Sequence, residues 1–354
     1  MRNFLSCILI FLATSALLGQ STSDSLLVRW FSPRDFGKYF LSDMYSPIVS
    51  VQAGAGINLK EYNLATNRTE LYVPYNVTNL GVEIPVYRSA SIVQGKKQEQ
   101  FSISLPISVN IWFDFLENST APIINTDYRF GIGEINYFRS LDWGIIKNIS
   151  AKFIPLFHES THLGDEITIY RLQDSLPVTR VNVSYETGEF SLLVNDPNGT
   201  LENNYALKLG VRWLWNPNKG WYTIRSEEGD TSKVIPSRRW VEAYIQYQAQ
   251  NSDGFLASKN AIQTFSLECR YQVLYGYPFY LGTNISSGKW EEFSNSERYI
   301  ASLNAMWGWK FAFAEGDQSH FGAYLRAYLG PNPHGQFRNI PFYNFLGLSF
   351  VYEW

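Results

Sequence analysis

Apolar and polar residues alternate one by one along most of this chain, the two-residue period of a strand with one oily and one wet face. Val49, Val51, Ala53, Ala55, Ile57 and Leu59 interleave with Ser50, Gln52, Gly54, Gly56 and Asn58. Phe101, Ile103, Leu105, Ile107, Val109, Ile111, Phe113 and Phe115 do the same against Ser102, Ser104, Pro106, Ser108, Asn110, Trp112 and Asp114. The pattern returns in 205–215, 265–273 and 299–313, and in the last dozen residues, where Leu348, Phe350, Tyr352 and Trp354 share a face. Helical spacing fits none of these runs. In 127–139, Glu134 falls on the phase of Phe130 and Ile132, which predicts a bulge.

Turn-rich polar stretches separate the runs, at 63–69, 118–125, 195–204, 227–232, 251–260, 286–296, 316–319 and 331–335. A soluble sandwich also alternates, so the contents of the wet face decide. Here it carries both signs of charge in mid-strand: Glu83, Asp114, Lys208, Arg212, Glu242, Glu268, Arg270, Lys310 and Arg326. Aromatics gather at strand ends, as at Trp213 and Trp215, Trp307 and Trp309, Tyr352 and Trp354. Long strands, an ion-paired wet face and aromatic ends predict an all-β fold, a closed antiparallel transmembrane β-barrel of about 12 strands, with roughly 10 to 14 defensible.

Composition agrees. Aromatic residues make up 16% and charged residues 17%, the latter well below the roughly 25% of a soluble domain. A net charge of −3 leaves no basic footprint for nucleic acid. Residues 1–20 read as a signal peptide: Arg2 supplies the positive end, Phe4 to Leu18 the apolar run and Ala16 to Gln20 the cleavage region. Residues 21–45 lack a clean period and read as a lead-in or plug, and 46–354 as the barrel. With Cys7 in the signal, Cys269 is left without a disulfide partner and sits on the lipid phase of its strand.

The aromatic close of the chain resembles the last strand of bacterial outer-membrane barrels. That resemblance implies an integral outer-membrane location, lipid bilayer and lipopolysaccharide as surroundings, and the barrel-assembly machinery as a partner through Gly347 to Trp354.

One stretch concentrates chemistry. Residues 157–171 hold His158, Glu159, Ser160, His162, Asp165, Glu166 and Arg171. Three mechanisms and one bland explanation compete for it. His158-Glu159-x-x-His162 spells a zinc-peptidase motif, which requires a helix to bring both imidazoles to one metal; Pro155, Gly164 and the flanking strands leave it little room. His158 and Ser160, two apart on a strand, share a face on which imidazole could activate the hydroxyl for lipid or ester hydrolysis. The His-Glu-Ser run resembles part of the outer-membrane phospholipase motif, departing from it at Thr161-His162 where Asn-Gly is expected. Such a pair must face the bilayer. With Phe153 and Phe157 toward lipid it faces the lumen instead, while Ile154 and Leu156 keep the opposite phase open. The whole run His158-x-Ser160-x-His162-Leu163-Gly164-Asp165-Glu166 resembles the signature of a bacterial domain family of unknown function whose members look like outer-membrane barrels. This likeness implies a polar site at a strand end and no established reaction; His158, Ser160 and His162 on one face, with Asp165 and Glu166 just past the rim, are candidates to bind a metal or anchor a loop, and Arg171 is a further binding candidate. The bland explanation is a strand-to-turn boundary in which Arg129, Arg171 or Lys152 neutralises the acids. On it the protein is a structural or small-solute barrel. The cofactor stays open, and His320 and His334, beside turns, read as solvated.

Overall fold

The computed structural model describes residues 25–57, 72–113, 123–164, 181–197, 204–215, 222–224, 233–234, 241–258, 261–274, 298–312, 320–335 and 343–353. Residues 1–20, which read as a signal peptide, lie outside them. The elements in chain order are β1 (Ser25–Trp30), β2 (Val49–Ile57), β3 (Tyr72–Val93), β4 (Lys96–Phe113), β5 (Ile123–Ile132), β6 (Glu134–Trp143), β7 (Ile146–Leu163) and β8 (Val181–Val194). There follow β9 (Asn204–Leu214), β10 (Tyr222–Ile224), β11 (Lys233–Val234), β12 (Val241–Asn251), β13 (Ala261–Leu274), β14 (Arg298–Ala312), β15 (His320–Leu329) and β16 (Asn344–Glu353). All neighbours are antiparallel, and β16 pairs with β2, with Tyr352 opposite Val49, so the sheet closes into a 12-strand barrel. β5 and β6 are two halves of one stave, broken at Gly133, whose φ is +68°. That break is the bulge anticipated from Glu134, which turns inward and is buried.

Burial is inverted relative to a soluble protein. On β12, Val241, Ile245 and Tyr247 are exposed outside, whereas Glu242, Tyr244, Gln246, Gln248 and Gln250 are buried inside. The same holds for Leu346, Leu348 and Phe350 against Ser349 on β16. A continuous hydrocarbon exterior around a polar interior is stable only with lipid outside, so the barrel spans a membrane.

The two ends differ. Gln94 and Gly95 join β3 to β4 with φ of 51° and 73°, the paired left-handed geometry of a tight hairpin turn. Gly144 and Ile145 join β6 to β7 at the same end, which also receives the end of β16. The end of β7 and the start of β8 lie at the other end of the barrel, the loop end.

Early residues of the chain enter the interior and occupy part of it. After β1, which pairs with the far part of β3, residues 31–48 turn into the lumen before emerging as β2. Phe36 and Phe40 are fully covered there. The Ser42 hydroxyl lies 2.8 Å from that of Ser266, and Asn304 Nδ2 donates to the Ser42 carbonyl at 2.6 Å. A Cβ on Gly81 would lie 2.2 Å from the Pro47 carbonyl carbon, so only glycine lets this segment seat against the wall.

Around it runs an ion-pair network. Asp43 meets Lys208 at 3.3 Å and Arg270 at 3.8 Å; Arg270 also pairs with Glu242 and Glu268. Arg34 bridges Glu134 at 2.6 Å and Glu83 at 3.1 Å. The Tyr45 ring has the guanidinium carbons of Arg212, Arg270 and Arg129 at 4.0, 4.6 and 4.7 Å. Desolvating so many charges is tolerable only because nearly every one finds a partner.

Candidate functional site

The site forms where β7 changes phase. Ile154 pairs with Glu189 of β8 and the next pair is Phe157 with Thr187, so Pro155 and Leu156 together face the single residue Gly188 on that strand. Pro155 has no N–H to offer a ladder, which makes it a suitable residue for such a bulge. A slip of this kind sends subsequent side chains to the opposite face. Ile154 points inward before it, and Phe157, Glu159 and Thr161 point inward after it, all buried. His158, Ser160 and His162 therefore stand on the outside of the barrel. The phase in which Phe157 meets lipid and the pair faces the lumen is overturned by this bulge.

Three strands build the outer patch. His158 is paired with Phe130 of β5 and Glu186 of β8; Ser160 is paired with Tyr128 and Ser184; His162 is paired with Thr126. His158 Nδ1 lies 3.3 Å from Glu186 Oε1, with the two side chains 40% and 41% exposed. His162 sets its ring edge-on to Tyr128 at 5.5 Å between centroids. His158 and Ser160 share the face, their Cα atoms about 7 Å apart along the strand.

Beneath this patch, toward the middle of the wall, lies an aromatic shelf. Trp213 stacks on Phe153 at 6.3 Å, and Trp215 meets Trp213 edge to face at 5.6 Å. Exposed Tyr128, Phe130 and Ile132 flank it on β5. Indole rings concentrate at the boundary between acyl chains and headgroups. Trp215 is level with Glu186 and His158, and Ser160 and His162 lie further toward the loop end.

Glu159, between the two outer residues in sequence, belongs to the lumen, with Arg129 at 3.6 Å and Arg212 at 3.8 Å. The zinc-peptidase arrangement is thereby excluded: on extended β7 the two histidines stand about 13 Å apart, with the glutamate on the opposite face. Arg129 and Lys152 also face inward: Arg129 pairs with Glu159, as the strand-to-turn explanation expects, while Lys152 lies 2.7 Å from Glu189 instead. Asp165, Glu166 and Arg171 lie outside the described residues. Gly164 has a structural reason for being glycine, since a Cβ there would fall 1.5 Å from the Ile123 carbonyl oxygen, and its N–H donates to the Ile124 carbonyl at 2.9 Å.

His320 and His334 are buried rather than solvated. His334 folds back with residues 331–335 into the loop-end mouth, stacking on Trp112 at 4.7 Å with Nδ1 3.7 Å from Asp127. Burial lowers its pKa below the ordinary imidazole value, outweighing the opposing pull of Asp127. At the turn end, burial pushes the Asp196 carboxyl up to about 6 even though it accepts the Gly37 and Lys38 N–H groups.

Glu186 was not legible as a site residue. It lies on another strand, beyond a long connection, and no local motif ties it to His158; only the β7–β8 register does.

A family described as a protein of unknown function (DUF1207) matches residues 58–200, less than half of the chain. No curated protein matches it. Among solved structures, the chain is similar to outer membrane phospholipase A from Escherichia coli, at 10% identity over 86% of this chain and 92% of that one, with a TM-score of 0.44. It is also similar to the translocator domain of the autotransporter NalP from Neisseria meningitidis, at 12% identity over 99% and 96% of the two chains, with a TM-score of 0.41.

Proposed function

We propose that this protein is an outer-membrane acyl-ester hydrolase that works on lipid from the outside of its barrel. Ser160 is the nucleophile, His158 the base and Glu186 the group that orients the base. The observation that carries the proposal is the His158–Glu186 contact at 3.3 Å on the lipid-facing wall, one residue pair from Ser160. A carboxylate, an imidazole and a hydroxyl together at a hydrocarbon boundary are costly to keep there without use.

The chemistry follows the familiar division of labour. Glu186 holds the Nδ1–H of His158, leaving Nε2 free to accept a proton. Ser160 Oγ attacks the ester carbonyl while that proton moves to Nε2; His158 then returns it to the departing alkoxide. Water attacks the acyl-serine by the same route, releasing the fatty acid and restoring Ser160. Tyr128, Phe130 and the tryptophan shelf give the acyl chain an apolar surface to lie on. Lipopolysaccharide and phospholipid both carry acyl esters. The end of β16, with Leu346, Leu348 and Phe350 outward, remains the segment proposed for engagement by the assembly machinery; Trp354 lies outside the described residues.

The test is reconstitution in phospholipid vesicles with fatty-acid release as the readout, alongside labelling by a fluorophosphonate. Release and labelling that both vanish in Ser160→Ala support the assignment; release that persists in Ser160→Ala removes it. A sealed structural barrel is the second function, favoured by the occupation of the lumen by residues 31–48, and it expects neither release nor labelling.

A further inference from the structure

The β7 bulge leaves the Pro155 carbonyl without a partner on β8, and one group from a different strand takes it up. Trp215, just past the end of β9, donates its indole N–H to Pro155 O at 2.6 Å. The Trp215 backbone N–H donates to the Glu186 carbonyl at 3.1 Å, so the same residue ties the bulge to the strand segment that carries the orienting carboxylate. Its neighbour Trp213 crosses the wall to reach Phe153, and Gly188 makes the crossing possible: a Cβ there would lie 2.4 Å from the Trp213 ring. The bulge is also matched from the other side. Gly133, the break between β5 and β6, lies opposite it, with its own notional Cβ 3.7 Å from the Pro155 ring.

We propose that Trp215 is a positioning residue: its two hydrogen bonds latch the β7 bulge and thereby hold His158 and Ser160 on the lipid face in register with Glu186. The physical basis is the period of the strand. If the bulge is lost, or slides past Ser160, the outward and inward sets of that stretch reverse, taking Ser160 into the lumen and Glu159 out of its ion pairs. Anchoring Pro155 O fixes where the reversal occurs. Gly188 is the second part of the device, since it lets Trp213 brace Trp215.

The part of this inference that concerns catalysis rests on the hydrolase assignment; the part that concerns orientation does not. Two readouts keep them apart, both in vesicles with the full chain. The first is the rate at which a fluorophosphonate modifies Ser160. Trp215→Phe, which keeps a ring and removes the side-chain donor, is expected to slow it tenfold or more. The second uses Ser160→Cys and a lipid-soluble maleimide, with native Cys269 on the outer face of β13 as the internal reference. Adding Trp215→Phe is expected to lower the reactivity of the introduced thiol at least threefold relative to Cys269, with heat-modifiable migration of the barrel unchanged. An unaltered ratio of introduced to native thiol labelling in Trp215→Phe overturns the latch. An unmodified wild-type Ser160 overturns the hydrolase assignment, and the thiol ratio then decides the latch by itself. If Trp215→Phe does not assemble, Gly188→Ala replaces it in both assays: slowed labelling and a lowered ratio support the latch, and wild-type values overturn it.

Discussion

Nδ1 of His158 and Oε1 of Glu186 stand 3.3 Å apart on the outer wall of the barrel, while Glu159, next to His158 in the chain, is buried with Arg129 and Arg212 on the inner one. Adjacent residues of one strand thus serve two unrelated environments, a lipid boundary and a charged core.

Glu186→Gln retains size and a hydrogen-bond acceptor but no charge to stabilise the imidazolium formed during attack. It is expected to lower the turnover of lipid-ester hydrolysis on the order of 100-fold with little change in apparent substrate affinity. Steady-state fatty-acid release at varied lipid surface concentration checks this.

Arg212 is fully buried and stands between Glu159 at 3.8 Å and Glu189 at 3.6 Å, under the Tyr45 ring. Arg212→Met leaves two carboxylates facing each other without their shared cation, and is expected to destabilise the barrel by about 3–5 kcal/mol. The measurement is the urea concentration at which heat-modifiable migration is lost.

His334 is held neutral in the folded mouth by burial, with its pKa below the value of 6.5 taken for an unperturbed imidazole. Below that value the unfolded segment binds more protons than the folded one, so the contribution of His334 is present above pH 6.5 and is lost as pH falls. Residues 331–335 are expected to release from Trp112 on acidification, and less so in His334→Gln. Tryptophan fluorescence against pH, compared between wild type and variant, reads the difference.

Asp196 gives the opposite sign. Its folded pKa of about 6 lies above the reference 3.8, so the folded state binds the extra proton and its stability contribution declines as pH rises through that window. Asp196→Asn is expected to flatten the pH dependence of unfolding between those two values. Parallel unfolding curves for the two proteins would contradict it.

Gly164→Ala forces a methyl group into the Ile123 carbonyl, 1.5 Å away. The loop-end pairing of β7 with β5 is expected to open, with faster amide exchange at Gly164 and Leu163 than in the parent. Retained protection there would show that the motif glycine serves some other need.

Alternation in the chain was enough to write the wall. The oily sets of β2, β4, β9, β13, β14 and β16, the slip at Glu134, and the charged inner set from Glu83 to Arg326, apart from Asp114, which lies outside the described residues, could be read directly, because side chains on a strand take opposite faces in turn. The bilayer context followed from the same pattern, since an oily exterior around paired charges has no other solvent. What the chain could not show is which way the residues after Pro155 face. Both phases of 153–157 are apolar, and a single unpaired step in β7 reverses everything beyond it. Nor could it show Glu186 beside His158, or residues 31–48 seated against Gly81 and Ser266, since these depend on register between strands distant in sequence. Local period fixes the two sets of side chains; only the closed sheet, with its bulge held in place by Trp215, decides which set meets lipid at Ser160.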